Sequence, residues 1–410
     1  MEQRRFHQAA VSAAFFRALH TITAVVVAFV ATYALCVRAG TGPAPAILSA
    51  ALCVGLMRRP DELTSRSVSK KIVTLPVVAL AAGLIGLAFL RLPWMGALLF
   101  TAGVASSVAL RGYGERGASI GRAIALPLLT MLVVPVAIDP RAGIAVTTLL
   151  VVAAALVAIL SAATVAYLTR SASVPQKARP ARKPADGAMS VPVKMAWQML
   201  VALALAFSIG MTAFAAHWPW VVLSAFIVCS GAIGRGDALY KALLRLAGAV
   251  GGTFAAAVVA HASLPNPATN AALIFVVLFA GIWLRQMNYA YWAACATLIF
   301  ALLQGSQAEN ETSLFGLRVL CILIGALCGV VAVWFVYPIR TEQVVRRRVA
   351  DALGAMRDAL GGSEFDPEYH AVELNVWRRR CVCTARCSGR RIPTNIRPVG
   401  SIARTHCSNA

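Results

Sequence analysis

Arg318 lies about four residues into the apolar run "LFGLRVLCILIGALCGVVAVWFVYP". A guanidinium placed in hydrocarbon costs about 3 kcal/mol or more, so a charge there points to a functional site. Its planar fork matches the two oxygens of a carboxylate. The same position also suits an arginine that snorkels to the nearby interface. A second constellation, "LRQMNYAYW", sets Arg285 beside Asn288, Tyr289, Tyr291 and Trp292, and a third, "HWPWVVLSAFIVC", carries Trp218 and Trp220. Flat aromatic rings can wall a binding site, but they also gather in belts at membrane interfaces. The candidate titrating groups are Asp237, Asp61 and His20. Asp237 equally suits an ion pair with Arg235 or Lys241. Paired carboxylates, a metal-binding histidine cluster and a nucleophile with its base are all missing from the apolar segments. The expectation is therefore no enzyme activity, no cofactor and no metal.

The elements that must hold these residues are apolar. The 410-residue chain is 59% hydrophobic and 13% charged, with a mean hydropathy of +0.74. A water-soluble domain carries about 25% charge. The runs lack the alternation of barrel strands, so they predict an all-α polytopic membrane protein. Twelve transmembrane helices are expected, near 18–37, 44–57, 72–90, 94–110, 120–138, 143–168, 196–216, 219–233, 242–261, 269–284, 289–304 and 314–337. The net charge of +22 belongs to membrane-flanking loops, not to a nucleic-acid surface. Arg4, Arg5, Arg58, Arg59, Lys70, Lys71, Arg111, Arg235, Lys241, Arg245 and Arg285 fall on one side; Arg38, Arg91 and Arg141 fall on the other. That bias places both termini in the cytoplasm.

The chain repeats itself weakly. "PAILSAALCV" from Pro45 resembles "WVVLSAFIVC" from Trp220, and "RPDEL" from Arg59 resembles "RGDAL" from Arg235. The offset is nearly constant, and each half holds six spans, so two parallel six-helix repeats are expected. Residues 1–170 form the first repeat, 171–194 a basic cytoplasmic linker and 195–340 the second. Residues 341–361 read as a cytoplasmic amphipathic helix. Residues 362–410 read as a disordered Arg/Cys-rich tail, a frameshifted or truncated end in place of a soluble domain. The segments 45–57 and 219–233 are too short for an ordinary span of about 20 residues. Each begins at a proline and ends near an Arg-x-Asp turn. Matched short segments in two halves mark a transport site, or else a tilted or locally thinned span. Gly248/Gly252 and Gly325/Gly329 have the spacing that lets helices pack closely.

From "WPWVVLSAFIV" through "RGDALYKALLRLAGAVGGTFAAAV" and "LRQMNYAYWAACATLIFALL" to "LRVLCILIGALCGVVAVWFVYPIR", the chain resembles the fusaric acid resistance protein-like family of aromatic acid exporters. The likeness rests on the Trp/Pro start, on Arg245-x-x-Gly248-x-x-Gly251, on Arg318 and Gly325, and on Pro338-x-Arg340. It implies a bacterial inner-membrane secondary transporter that exports aromatic carboxylic acids, driven by protons. A periplasmic adaptor and a homo-oligomer are the implied protein partners. Under that resemblance Arg318 and Arg285 would take the carboxylate, Trp220, Tyr289 and Asn288 would line the ring site, and Asp237, Asp61 and His20 would couple protons. Plant malate channels are similar in their membrane half, which leaves an organic-anion channel as the alternative.

Overall fold

The computed structural model describes residues 2–60, 63–133, 143–169, 190–215, 217–232, 234–261, 267–285, 287–304 and 311–337. Among them lie twelve α-helices: α1 (Glu2–Arg38), α2 (Ala44–Leu56), α3 (Ser65–Arg91), α4 (Pro93–Ala109), α5 (Gly114–Val133), α6 (Ile144–Leu168), α7 (Val191–Ala213), α8 (Trp218–Cys229), α9 (Arg235–His261), α10 (Pro267–Leu284), α11 (Tyr289–Gln304) and α12 (Glu311–Phe335). Seven of them, α1, α3, α4, α6, α7, α9 and α12, are long and apolar enough to cross a membrane. The apolar parts of α2, α5, α8, α10 and α11 are shorter. Large apolar side chains such as Val73, Leu84, Leu98, Leu149 and Phe254 face outward, as a lipid-embedded surface requires. The chain is a multi-pass membrane protein.

Several helices begin earlier than their apolar runs. Hydropathy marks only the lipid-facing length, whereas Ser, Arg and Lys continue a helix into the polar interface. Thus α3 begins at Ser65 and α9 at Arg235, so the Arg235–Asp237 stretch, expected as a turn, is the first turn of α9. Residues 191–194, expected as linker, begin α7. The remaining linker up to residue 189, the segment 341–361 and the tail 362–410 lie outside the described residues.

The two short helices α2 and α8 each carry proline in the first turn, where a missing N–H leaves no bond unmade. After α8 the chain reverses at Gly231, whose φ of 74° is open to glycine without strain. Longer helices enclose both. α1, α2 and α6 pack on one another, as do α7, α8 and α12. Beyond these, α3 packs on α5 and α6, and α9 on α11 and α12. Across the halves, α4 packs on α7 and α10 on α1. One core joins α1, α2, α3 and α6 to Phe275 and Leu278 of α10. The other joins α7, α8, α9 and α12 to Phe100, Val104 and Val108 of α4. Rings weld both crossings: Phe15 meets Phe279 at 5.4 Å, and Phe100 meets Phe207 edge-on at 5.7 Å.

Glycine sets the closest approaches. A Cβ on Gly248 would lie 2.5 Å from that of Ala293, and one on Gly252 would strike the Ala294 carbonyl. A Cβ on Gly325 would strike the Val221 carbonyl, and one on Gly329 would lie 2.9 Å from the Val228 Cβ. Backbones therefore touch between α9 and α11 and between α8 and α12. The paired positions advance together, so each pair runs parallel. Gly325→Leu should force α12 off α8 and cost about 1–3 kcal/mol, read as a lower midpoint of thermal unfolding of the detergent-purified protein. Gly251→Ala, where an added Cβ meets open space, should stay within about 0.5 kcal/mol.

Candidate functional site

Two cations stand just beyond helix ends. Arg58 follows α2, Arg285 follows α10, and Tyr289 opens α11. Arg245 lies ten residues along α9 from Arg235, about 15 Å at 1.5 Å per residue. The charges of Arg245, Arg285 and Arg58 all act on the Tyr289 phenol, and Arg285 acts on Arg58. Arg245 is 1% exposed, and its Nε and Nη2 have no hydrogen-bond partner. The Tyr289 hydroxyl is also buried without one. Each such orphan costs about 1–3 kcal/mol, and more when charged. Arg58 keeps accessible surface, yet protein crowds its guanidinium. That crowding, with the charge of Arg285 beside it, lowers its pKa to about 10, so it remains a cation at neutral pH. The charge pattern groups Arg245 with the loop cations. It lies instead within α9, one turn before Gly248, on the face that packs against α11.

A second group lies near the far end of α11. The Arg318 guanidinium sits 4.8 Å from the Trp220 ring centroid, and Phe300 meets the same ring edge-on at 5.3 Å. Trp220 is buried at the start of α8. Phe300 is eleven residues beyond Tyr289, about 16 Å along α11. The residues singled out for substrate therefore divide between two places: Arg318 with Trp220, and Arg285 with Tyr289.

The others have separate surroundings. Asn288 accepts a hydrogen bond from the Ala290 backbone N–H at 3.1 Å, capping the start of α11. Arg285 lies 5.6 Å from the Trp292 ring centroid. Trp218 is locked between Phe89 and Phe207. Tyr291 is half exposed. Asp237 pairs with Lys241 across one turn of α9 at 3.2 Å. His20 is half-buried on α1, and Asp61 lies outside the described residues. The glycine pairs sit at helix crossings, away from the rings. Arg235 donates to the Trp334 carbonyl at 3.0 Å and, with Gln198 donating to the Val336 carbonyl at 3.0 Å, ties down the end of α12. Among the described residues no group of three His, Cys, Asp or Glu side chains is placed to hold a metal.

Comparison with known proteins bears on the half of the chain that holds most of these groups. Residues 192–332 match the fusaric acid resistance protein-like family. The matched segment runs from the first turn of α7 into α12 and contains Trp220, Arg245, Arg285, Tyr289 and Arg318, while Arg58 lies outside it. No curated protein and no solved structure matches the chain. A fusaric acid resistance protein-like segment on a bundle of apolar helices points to a role in membrane transport. Within that segment the Asp237–Lys241 pair is partly exposed, at 32% and 25%. Such pairs contribute little, so Asp237→Asn should lower thermal stability by no more than about 0.5 kcal/mol in a melting curve.

Proposed function

We propose that the protein is a secondary efflux transporter of a bacterial inner membrane that exports aromatic carboxylic acids. The observation that carries this reading is the Arg318–Trp220–Phe300 group within the segment that matches a family named for fusaric acid resistance. A guanidinium beside two flat apolar rings is the chemical complement of an aromatic acid: the fork takes the carboxylate and the rings take the ring. Trp220 also stands on one of the two short, enclosed helices. A transport site can form there because the helix ends are sheltered by protein.

The wider organisation belongs to the same reading. Most packing pairs among α1 to α6 recur among α7 to α12, and the crossings α4 on α7 and α10 on α1 exchange under the same shift of six helices. This supports two parallel six-helix repeats, twelve spans and an even topology. Arg58, Arg111, Arg235 and Arg285 all stand at one set of helix ends, which supports cytoplasmic termini. The proton gradient is the proposed drive, with His20, Asp61 and Asp237 as its candidate carriers. A periplasmic adaptor and a second copy of the chain are the proposed protein partners, and no enzymatic step is assigned.

The test is retention of labelled 4-hydroxybenzoate in cells stripped of their own exporters, with and without the protein, an adaptor and a protonophore. Uncoupler-sensitive loss of label below the passive level is expected, and Arg318→Gln should reduce it at least tenfold. Retention equal to the empty-vector level, with the protein shown in the membrane, would count against export. Simple equilibration of label would identify a channel.

A further inference from the structure

The charges of three guanidinium groups act on one phenol, and two buried groups there, Arg245 and Tyr289, have donors without a partner. Arg245 is buried with Nε and Nη2 unpartnered, and the Tyr289 hydroxyl beside it is unpartnered too. Asp237, two turns earlier on α9, is engaged by Lys241. Nε and Nη2 are the two N–H groups on one edge of a guanidinium, spaced like the two oxygens of a carboxylate. A halide would use that edge poorly, and a lysine could not offer it. The Tyr289 hydroxyl is a third buried donor without a partner.

We propose that Arg245, Tyr289, Arg285 and Arg58 form a carboxylate-binding site shared by the two halves of the chain, distinct from the Arg318–Trp220 group. Arg245 and Tyr289 are its floor. Arg58 and Arg285, both exposed, are its rim, and they stand just after α2 and α10. The Trp292 ring, against which Arg285 lies, adds a flat apolar wall beside the rim. In this structure the floor is closed to solvent, so a ligand reaches it when the long rim side chains swing aside. Neutralising the cluster removes repulsion between Arg58 of the first half and Arg285 of the second. Occupancy therefore draws α2 and the α10–α11 turn together across the boundary between the halves. In naming an aromatic acid as the ligand, the proposal rests on the export reading.

The experiment uses the full chain in nanodiscs of zwitterionic lipid, titrated with benzoate and followed by equilibrium dialysis and by tryptophan fluorescence. Benzoate should bind at least tenfold more tightly than benzamide, which has the ring without the charge. Arg58→Gln and Tyr289→Phe should weaken binding at least fivefold with unchanged melting temperatures, and Arg245→Lys at least tenfold. Arg58 is exposed, so its variant keeps the test valid if Arg245→Lys misfolds. Wild-type affinity in both Arg58→Gln and Tyr289→Phe would overturn the site. Should Arg318→Gln alone abolish binding, this site falls and the export reading stands. Conversely, loss of binding in the rim and floor variants, with no export by cells, would keep the site and sink the export reading. Displacement of benzoate by equimolar inorganic phosphate, or by phosphatidylglycerol in the disc, would overturn the carboxylate assignment in favour of a free oxyanion or a lipid headgroup respectively.

Discussion

A helix that stops short of the bilayer surface leaves backbone groups unpaired at a depth where lipid cannot satisfy them. This constraint governs the arrangement of the whole bundle. α2 and α8, of 13 and 12 residues, span about 20 Å and 18 Å at 1.5 Å per residue, well under the roughly 30 Å of hydrocarbon. They are stable only because longer helices wrap them: α1 and α6 around α2, α7 and α12 around α8. Nine of the twelve α8 residues are buried. Shortness also sets the level at which the chain leaves the helix, and Arg58 stands just after α2.

Close packing fixes which side chains meet at that level. Gly248 and Gly252 let α9 lie against α11 with backbones in contact, and this sets the register of the two helices. Arg245, one turn before Gly248, consequently comes to Tyr289, the first residue of α11. The α8–α12 crossing works in the same way. Gly325 admits the Val221 carbonyl, and Arg318, two turns before it, reaches the ring of Trp220. Packing glycines and these arginines are thus parts of one arrangement. The glycine brings the helices together, and the arginine a turn or two earlier meets what the neighbour presents.

Three of the arginines lie over tryptophan rings. Arg235 lies over Trp334, Arg285 over Trp292 and Arg318 over Trp220. Such contacts contribute about 0.5–2 kcal/mol, rising as water is excluded. Arg235 adds hydrogen bonds that tie the start of α9 to the end of α12, a structural use of the charge. Arg245 lacks any such ring contact among the described residues, although it is the most deeply buried of these arginines. Its position is thus the least stabilised by the protein's own side chains.

Composition and periodicity by themselves determined that the chain is helical and that it lives in a membrane, and they picked out the two short apolar segments that form α2 and α8. They also exposed Arg318, Arg285, Tyr289 and the glycine pairs, because a charge or a repeated small residue stands out in an apolar run. Hydropathy could not separate Arg245 from the loop cations, since it sits near the end of its apolar stretch and only burial shows which way it faces. It also could not divide the substrate candidates into two groups about 16 Å apart, a separation measured along α11. The meeting of Arg58 with Arg285 across the halves was equally hidden. Contacts between helices distant in sequence depend on crossing and register, which packing decides. A linear pattern records how far each residue lies from lipid, and only the tertiary structure records what it faces.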